Sequence, residues 1–139
     1  MASNTQQHAI VRRFLTRGRE NLMTIRGRRV SARQVETTVR RSDPVLKGRS
    51  SAVFSVNTTD EHRLVVLQEI DLNQRVDLDR LARSIRRRVF EQHGIRVSRL
   101  ILVKPGSIPT SPGGEIKRNE CESRLLQGRF KVLVEWLVL

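Results

Sequence analysis

The 139-residue chain has a single cysteine, no tyrosine and no long hydrophobic run. Cys121 has no second cysteine to pair with, so an intramolecular disulfide and a cysteine metal cluster are both excluded. No apolar stretch reaches the roughly 20 residues that a membrane helix needs, and the polar residues 1–7 lack the apolar core of a signal peptide. We therefore expect a soluble, cytoplasmic protein without membrane contact. We also expect no metal site, because His8, His62 and His93 are scattered along the chain.

Acidic residues and lysines are few, so the charge balance is strongly basic. The net charge is +13, with 27 Lys and Arg against 14 Asp and Glu. Residues 1–50 contain 12 basic and 3 acidic residues, whereas residues 51–139 contain 15 and 11. Such a surface attracts nucleic acid or a strongly acidic protein. All but four of the basic residues are arginines, a bias that a GC-rich genome also produces, so charge alone does not choose the partner.

Residues 22–70 predict two hairpins separated by a helix. Strands are predicted at 22–25, from 29 onwards, at 52–56 and at 64–70. Ser31 and Gln34 fit a capping box at the start of the intervening helix, which carries Val35 and Val39 on one face. Proline disfavours helix in the preceding residue, so Asp43-Pro44 ends it.

Residues 78–92 form the clearest predicted helix. Asp77 fits the N-cap and Gly94 the C-terminal stop. Its apolar stripe consists of Leu78, Leu81, Ala82, Ile85, Val89 and Phe90. A strand at 97–103, a loop at 105–114 and a short helix at 119–126 follow. The apolar tail 132–139 either packs on the domain's own sheet, as a closing strand, or forms an interface for a homodimer or another partner.

This order predicts an α+β fold, with a small three-stranded sheet packed against helices and a short N-terminal β-hairpin. The chain length allows one domain. We assign residues 1–16 to a lead-in segment and residues 17–139 to the domain.

Two segments resemble motifs of adenylate-forming enzymes. Residues 16–36, TRGRENLMTIRGRRVSARQVE, resemble the hinge and the following strand-turn-strand of that superfamily. The matching hinge and turn residues are Gly18, Arg19, Glu20, Asn21, Arg26, Gly27 and Arg28. Residues 102–128, LVKPGSIPTSPGGEIKRNECESRLLQG, resemble the closing motif Leu-Pro-Lys-Thr-Ser-Ser-Gly-Lys-Ile-Arg-Arg. The matching loop residues are Pro109, Gly113, Gly114, Glu115, Ile116, Lys117 and Arg118.

The chain is most similar to the C-terminal domain of fatty acyl-AMP ligases. In that family a large N-terminal domain binds ATP and the acid, and a lysine in the closing motif reaches both anions. The resemblance puts Glu115 in the position of this lysine, so no catalytic residue is intact. Lys117 is not expected to substitute, because side chains two apart on a strand lie ~6–7 Å from each other. The resemblance therefore implies a free-standing, non-catalytic domain with no cofactor of its own, since ATP and Mg would enter through the absent large domain.

Three functions remain open from the sequence. The leading one is an accessory module that binds a separate ligase N-terminal domain or an acidic acyl carrier protein. The second is a nucleic-acid-binding protein that reuses the scaffold, which the charge favours. Against it, most of the few aromatic residues occupy core-like positions, leaving no stacking platform for single strands. The third is one half of a split ligase, against which Glu115 argues.

Overall fold

The structure, a computed structural model, describes residues 22–57, 62–73 and 75–137. The predicted lead-in 1–16 and the hinge residues Gly18, Arg19, Glu20 and Asn21 lie outside these ranges, and the domain limits stay a prediction. The elements are β1 Leu22–Ile25, β2 Arg28–Ser31, α1 Ala32–Arg41, β3 Ser51–Asn57, β4 His62–Glu69, α2 Leu78–His93, β5 Val97–Val103, α3 Arg118–Leu126 and β6 Val132–Leu137. None of the helices in the described ranges is long and apolar enough to cross a membrane.

The main sheet has the strand order β3-β4-β5-β6, and β1 pairs with β2 in a separate hairpin. Strands β3 and β4 are antiparallel, whereas β4 and β5 are parallel because α2 carries the chain back across the sheet. The α+β class and the N-terminal hairpin are confirmed. The sheet has four strands instead of three, because the apolar tail forms β6, which pairs with β5 through Leu100 and Trp136. The tail thus packs on its own sheet, and residues 138 and 139 lie outside the description.

The central strands are apolar on both faces, and each face has its own core. Successive side chains of a strand point to opposite sides of the sheet. Val66 and Leu100 therefore belong to one buried cluster with α1, α2 and the hairpin. Val65 and Ile101 belong to a second cluster, completed by Cys121 of α3. The near-continuous apolar sequences of β4 and β5 are the direct consequence of covering both faces.

The predicted helix ends are confirmed. Ser31 Oγ accepts a hydrogen bond from the backbone N–H of Gln34 at 3.3 Å, which satisfies one free donor of the first turn of α1. Asp77 Oδ1 accepts from the N–H of Arg80 at 3.1 Å at the start of α2. Gly94 ends α2 in the left-handed conformation, with φ +68°.

The prediction that Phe90 belongs to the buried apolar stripe of α2 is wrong. Phe90 is 51% exposed, whereas Ile85 and Val89 are fully buried. A helix turns about 100° per residue, so Phe90 lies beyond the edge of the face that Ile85 and Val89 define. Its ring instead lies beside Arg96, whose guanidinium carbon is 6.0 Å from the ring centroid.

The hairpin β1–β2 is anchored to the end of α2. Its two-residue turn, Arg26-Gly27, has φ values of +49° and +78°, as a type I′ turn requires. Directly after the turn, Arg28 Nη1 donates a hydrogen bond to the carbonyl oxygen of His93 at 3.2 Å. A cation at this position satisfies a free carbonyl and the negative end of the helix dipole.

This anchor predicts an unequal response of two helix-terminal glycines to alanine. A methyl group on Gly94 would lie 2.0 Å from Arg28 Nη1, whereas one on Gly128, at φ +66°, would meet nothing within 4 Å. Both changes carry the left-handed backbone cost of about 1–2 kcal/mol. We expect Gly94→Ala to lower the free energy of unfolding by about 1 kcal/mol more than Gly128→Ala, because Arg28 must leave His93. Urea denaturation measures both, and the excess should vanish in an Arg28→Met background. An excess that persists there would show that Arg28 is not its cause.

Candidate functional site

The closing-motif segment folds into a compact loop held by its own backbone. Thr110 and Ile116 form an isolated antiparallel bridge, and Lys117 N donates to the carbonyl of Pro109 at 3.0 Å. Inside the bridge, Ser111 N donates to the carbonyl of Glu115 at 2.8 Å, and Ser111 Oγ accepts from Glu115 N at 3.2 Å. These bonds give the loop a defined shape with Glu115 near its tip.

The two charged positions of the loop lie in different surroundings. Glu115 is exposed, next to Gly114, whose φ of +85° favours glycine. Lys117 occupies the N-cap position of α3 without a side-chain capping bond, and its Nζ lies 3.8 Å from Glu120 Oε2. The ammonium of Lys117 therefore has a partly exposed carboxylate partner on its own helix, and the expectation that it does not replace a cation at position 115 stays a prediction.

A buried ion pair ties the loop to the rest of the domain. Arg118 Nε donates to Glu36 Oε2 at 2.9 Å and Arg118 Nη2 donates to Glu36 Oε1 at 2.5 Å, a bidentate contact. Glu36 Oε2 also accepts from the backbone N–H of Val53 at 2.9 Å. One carboxylate thus joins α1, β3 and the start of α3. Burial raises the pKa of Glu36, and Arg118 opposes that shift.

A second carboxylate holds the start of the loop. Glu69, at the end of β4 and 5% exposed, accepts a hydrogen bond from the backbone N–H of Ile108 through Oε2 at 3.0 Å. Sequence reasoning missed both carboxylates as loop supports, because their partners lie 82 and 39 residues away. The available signal was a carboxylate inside an otherwise apolar element, which needs a partner when buried.

An open cleft of about 1000 Å³ lies between α1, residues 48–50 and the closing-motif loop. Arg33, Arg40 and Arg49 face it from α1 and the loop after it, and the closing-motif loop supplies its opposite wall. Three acidic residues also line the cleft, Glu36, Glu115 and Glu120. Glu36 is paired with Arg118, and Glu120 is paired with Arg124. Because its lining contains both guanidinium groups and the exposed Glu115, the cleft is suited to binding a charged partner surface.

The predicted site residues that the structure describes are divided between two pockets, except Pro109 and Gly27, which line neither. Gly113, Gly114, Glu115, Ile116, Lys117 and Arg118 line the cleft together. Arg26 and Arg28 of the hairpin turn line a separate pocket, and among the described residues the two linings have none in common. Within the described ranges, no three His, Cys, Asp or Glu side chains gather in a way that could hold a metal ion.

Cys121 lies beneath the loop, in the second core, and is fully buried. Burial, reinforced by the nearby Glu36 carboxylate, raises the pKa of the thiol to about 12. The thiolate is the reactive form, so this cysteine is inert in the folded protein.

We therefore expect no reaction of native Cys121 with a thiol-specific disulfide reagent at pH 8. The same protein in denaturing urea should react completely, because the thiol then regains an ordinary pKa. Absorbance of the released thiolate measures both. Rapid stoichiometric labelling of the folded chain would contradict the buried position of the thiol.

The ion pair predicts a large, pH-dependent loss of stability on substitution of its arginine. Arg118→Met leaves a carboxylate that is 3% exposed without its partner, which costs about 3–5 kcal/mol. The substitution removes the cation that opposes the effect of burial, so the pKa of Glu36 in the folded variant lies further above 4.5. Protonation of Glu36 then stabilises the folded variant. The difference in the free energy of unfolding between the native chain and the variant therefore becomes smaller as the pH falls towards 4.5. Chemical denaturation at a series of pH values measures this.

Two controls accompany this measurement. Arg124→Met removes the surface partner of Glu120, where the side chains are 35% and 39% exposed, and should cost no more than about 1 kcal/mol. Glu36→Gln combined with Arg118→Met should recover part of the loss at neutral pH, because no charge is buried. Equal losses for Arg118→Met and Arg124→Met would show that burial of the pair is not important.

Comparison with known proteins agrees with this architecture. A family model described as "Disco-interacting protein 2-like, AMP domain" matches residues 20–135. A medium-chain-fatty-acid–[acyl-carrier-protein] ligase, JamA of Moorena producens, is 32% identical over 117 residues, which cover 83% of this chain and 20% of JamA. The long-chain-fatty-acid–AMP ligase FadD23 of Mycobacterium tuberculosis is 32% identical over 113 residues, which cover 78% and 19%. The chain spans about a fifth of the length of these curated relatives.

Solved structures share the fold. The fatty acid AMP ligase of Legionella pneumophila aligns with a TM-score of 0.65 at 24% identity, covering 76% of this chain and 19% of that one. A keto acid-selecting NRPS module with adenylation, ketoreductase and pseudo Asub domains aligns with a TM-score of 0.69 at 20% identity, covering 79% and 9%. From the family match over most of its length, the chain belongs to the Disco-interacting protein 2-like AMP-domain family, and it is a fatty acyl-AMP ligase-like member of the adenylate-forming superfamily.

Proposed function

We propose that this chain is the C-terminal-type domain of a fatty acyl-AMP ligase-like protein, and that it works in the cytoplasm as a non-catalytic accessory or regulatory module in acyl activation. The observation that carries the proposal is the exposed carboxylate of Glu115 on the closing-motif loop. The curated relatives are, by name, ligases that act on fatty acids. In this family a lysine is expected at position 115.

The charge of Glu115 opposes adenylate formation. A carboxylic acid and the α-phosphate of ATP are both anions, and a cation between them stabilises the charge that develops as they react. A carboxylate in that place repels both reactants, and its own charged form is destabilised when it is removed from solvent. The module would therefore use no cofactor of its own, and ATP and Mg would enter only through a large domain.

Binding to a separate protein is the role that fits a module of this kind. We propose that the partner is a ligase N-terminal domain or an acidic acyl carrier protein. Arg33 and Arg40, which line the open cleft beside the loop, support this, because arginines complement an acidic surface. The name of the relative JamA includes an acyl carrier protein, which is a reason to test that class of partner with this chain.

The lysine assignment is tested by restoring it. The large domain of a fatty acyl-AMP ligase from the same host is mixed with the native chain, with Glu115→Lys or with Glu115→Gln, and pyrophosphate release is measured. We expect turnover to rise by about 10²-fold only with Glu115→Lys, because only that variant supplies a cation to the transition state. Glu115→Gln is the matched control, since it removes the repulsion without adding charge.

The other outcomes separate the alternatives. Turnover with the native chain would support the split-ligase alternative and overturn the non-catalytic role. Equal turnover with lysine and glutamine would refute the assignment of position 115. Binding of the native chain to the large domain or to purified acyl carrier protein, retained at raised salt, is expected for an accessory module.

A nucleic-acid-binding role is the second candidate, and the net charge of +13 favours it. It predicts that the chain binds an oligonucleotide, and that the logarithm of the binding constant falls steeply and linearly with the logarithm of the salt concentration. Such binding without a protein partner would replace the accessory-module proposal. A homodimer through the tail is a further proposal, since β6 is an edge strand of the sheet, and sedimentation tests it.

A further inference from the structure

The cleft between α1 and the closing-motif loop contains both paired and unpaired charges. Most of its charged side chains already have a partner among the described residues. The ion pairs are Arg118 with Glu36, Lys117 with Glu120, Arg124 with Glu120 and Arg49 with Asp71. Arg33, Arg40 and the exposed Glu115 also line the cleft, and within the described ranges none of the three has an ion pair. These three charges are therefore available to a partner.

The two arginines lie on one side of α1. They are two helical turns apart, about 10 Å along the axis, and Arg40 Nη2 donates to the neutral hydroxyl oxygen of Thr37 at 3.3 Å. Burial raises the pKa of the neighbouring Glu36, and Arg40 opposes this rise less than Arg118 does. Because Arg118 already neutralises Glu36 in a bidentate pair, the α1 side of the cleft keeps an excess of positive charge.

The closing-motif loop adds a fixed carboxylate, and glycines add bare backbone. The main chain of Glu115 is held by Ser111, whose N–H donates to its carbonyl at 2.8 Å and whose Oγ accepts from its N–H at 3.2 Å. Gly48 and Gly114 line the cleft, and a Cβ atom added to either would meet nothing within 4 Å. Another main chain can approach such positions closely. The cleft thus favours an extended segment over a helix, whose side chains surround its backbone.

On the basis of the partner-binding role proposed above, we infer that the cleft binds an extended segment of the partner protein. Acidic residues of the segment pair with Arg33 and Arg40, and a basic residue pairs with Glu115. Acidic residues two or four positions apart on one face of an extended chain match the separation of two flexible arginine side chains. The open cleft of about 1000 Å³ is at the upper end of the volumes of small-molecule pockets, which suits a length of peptide.

The mixed charge of the cleft makes a nucleic acid the poorer match. Every phosphate of a nucleic acid carries a negative charge, so Glu115 would repel it and would gain no partner of its own. A protein segment can present charges of both signs within a few residues. A partner of this kind satisfies all three available charges at once.

The test is selection of random short peptides, displayed on phage, against the immobilised full chain. We expect the selected peptides to share acidic residues together with one lysine or arginine. The Glu115→Lys variant provides the charge reversal, and its exposed side chain makes the change compatible with the fold. Peptides selected on that variant should carry an acidic residue in place of the basic one, because opposite charges pair.

A matched pair of double variants separates the cleft from the general basic surface. Fluorescence anisotropy measures the affinity of the best selected peptide for each chain. Arg33→Gln with Arg40→Gln should weaken binding at least about tenfold, because two charge-assisted contacts are lost. Arg83→Gln with Arg88→Gln lowers the net charge equally at exposed positions of α2 that do not line the cleft, and should change the affinity less than about twofold. Thermal unfolding of every variant verifies that the domain remains folded.

Several results would overturn the inference. They are a selection that enriches no peptide, peptides without the acidic residues, a preference that Glu115→Lys leaves unchanged, equal losses in the two double variants, or displacement of the peptide by a duplex oligonucleotide at similar concentration. Failure of the wider role gives a different result. A chain that binds the ligase large domain or the carrier protein but selects no such peptide uses another surface. A chain that selects these peptides and binds neither protein has the segment site without the accessory role.

Discussion

The bidentate ion pair between Glu36 and Arg118 is the interaction on which the candidate site depends. It is the contact by which α1, β3 and the start of α3 share a single carboxylate. A buried charge pair brings little net stability compared with apolar packing of the same volume, but its geometry is demanding. Its main contribution is therefore to set where the closing-motif loop leaves the domain, with Glu69 holding the other end of the loop.

The double-faced sheet explains why the loop can be held so firmly. Cores on both faces bury β4 and β5, so the ends of these strands are rigid points of attachment. Glu69 stands at such an end, and Glu36 lies in a helix that packs on β3. The loop is compact, and Glu115 is exposed near its tip. The motif resemblance leads one to expect a lysine at this position, and that assignment stays a prediction.

The arginines have several distinct structural roles, and their number alone is uninformative. Arg118 neutralises a buried carboxylate, Arg28 completes the end of α2, and Arg96 contacts an exposed aromatic ring. Others, such as Arg83 and Arg88, are exposed on the outer face of α2.

The sequence by itself determined the class of the fold, the order of the elements and the helix ends, because these follow from short-range physics. Alternating apolar residues, the Ser31 and Asp77 caps and the left-handed Gly94 act over a few residues. The family could also be inferred from two motifs. Only the tertiary structure decided that the tail adds a fourth strand, that Phe90 turns to solvent, and that Glu36 and Glu69 hold the closing-motif loop. Those outcomes depend on contacts between residues far apart in the chain, and no local pattern encodes which distant group satisfies a buried charge.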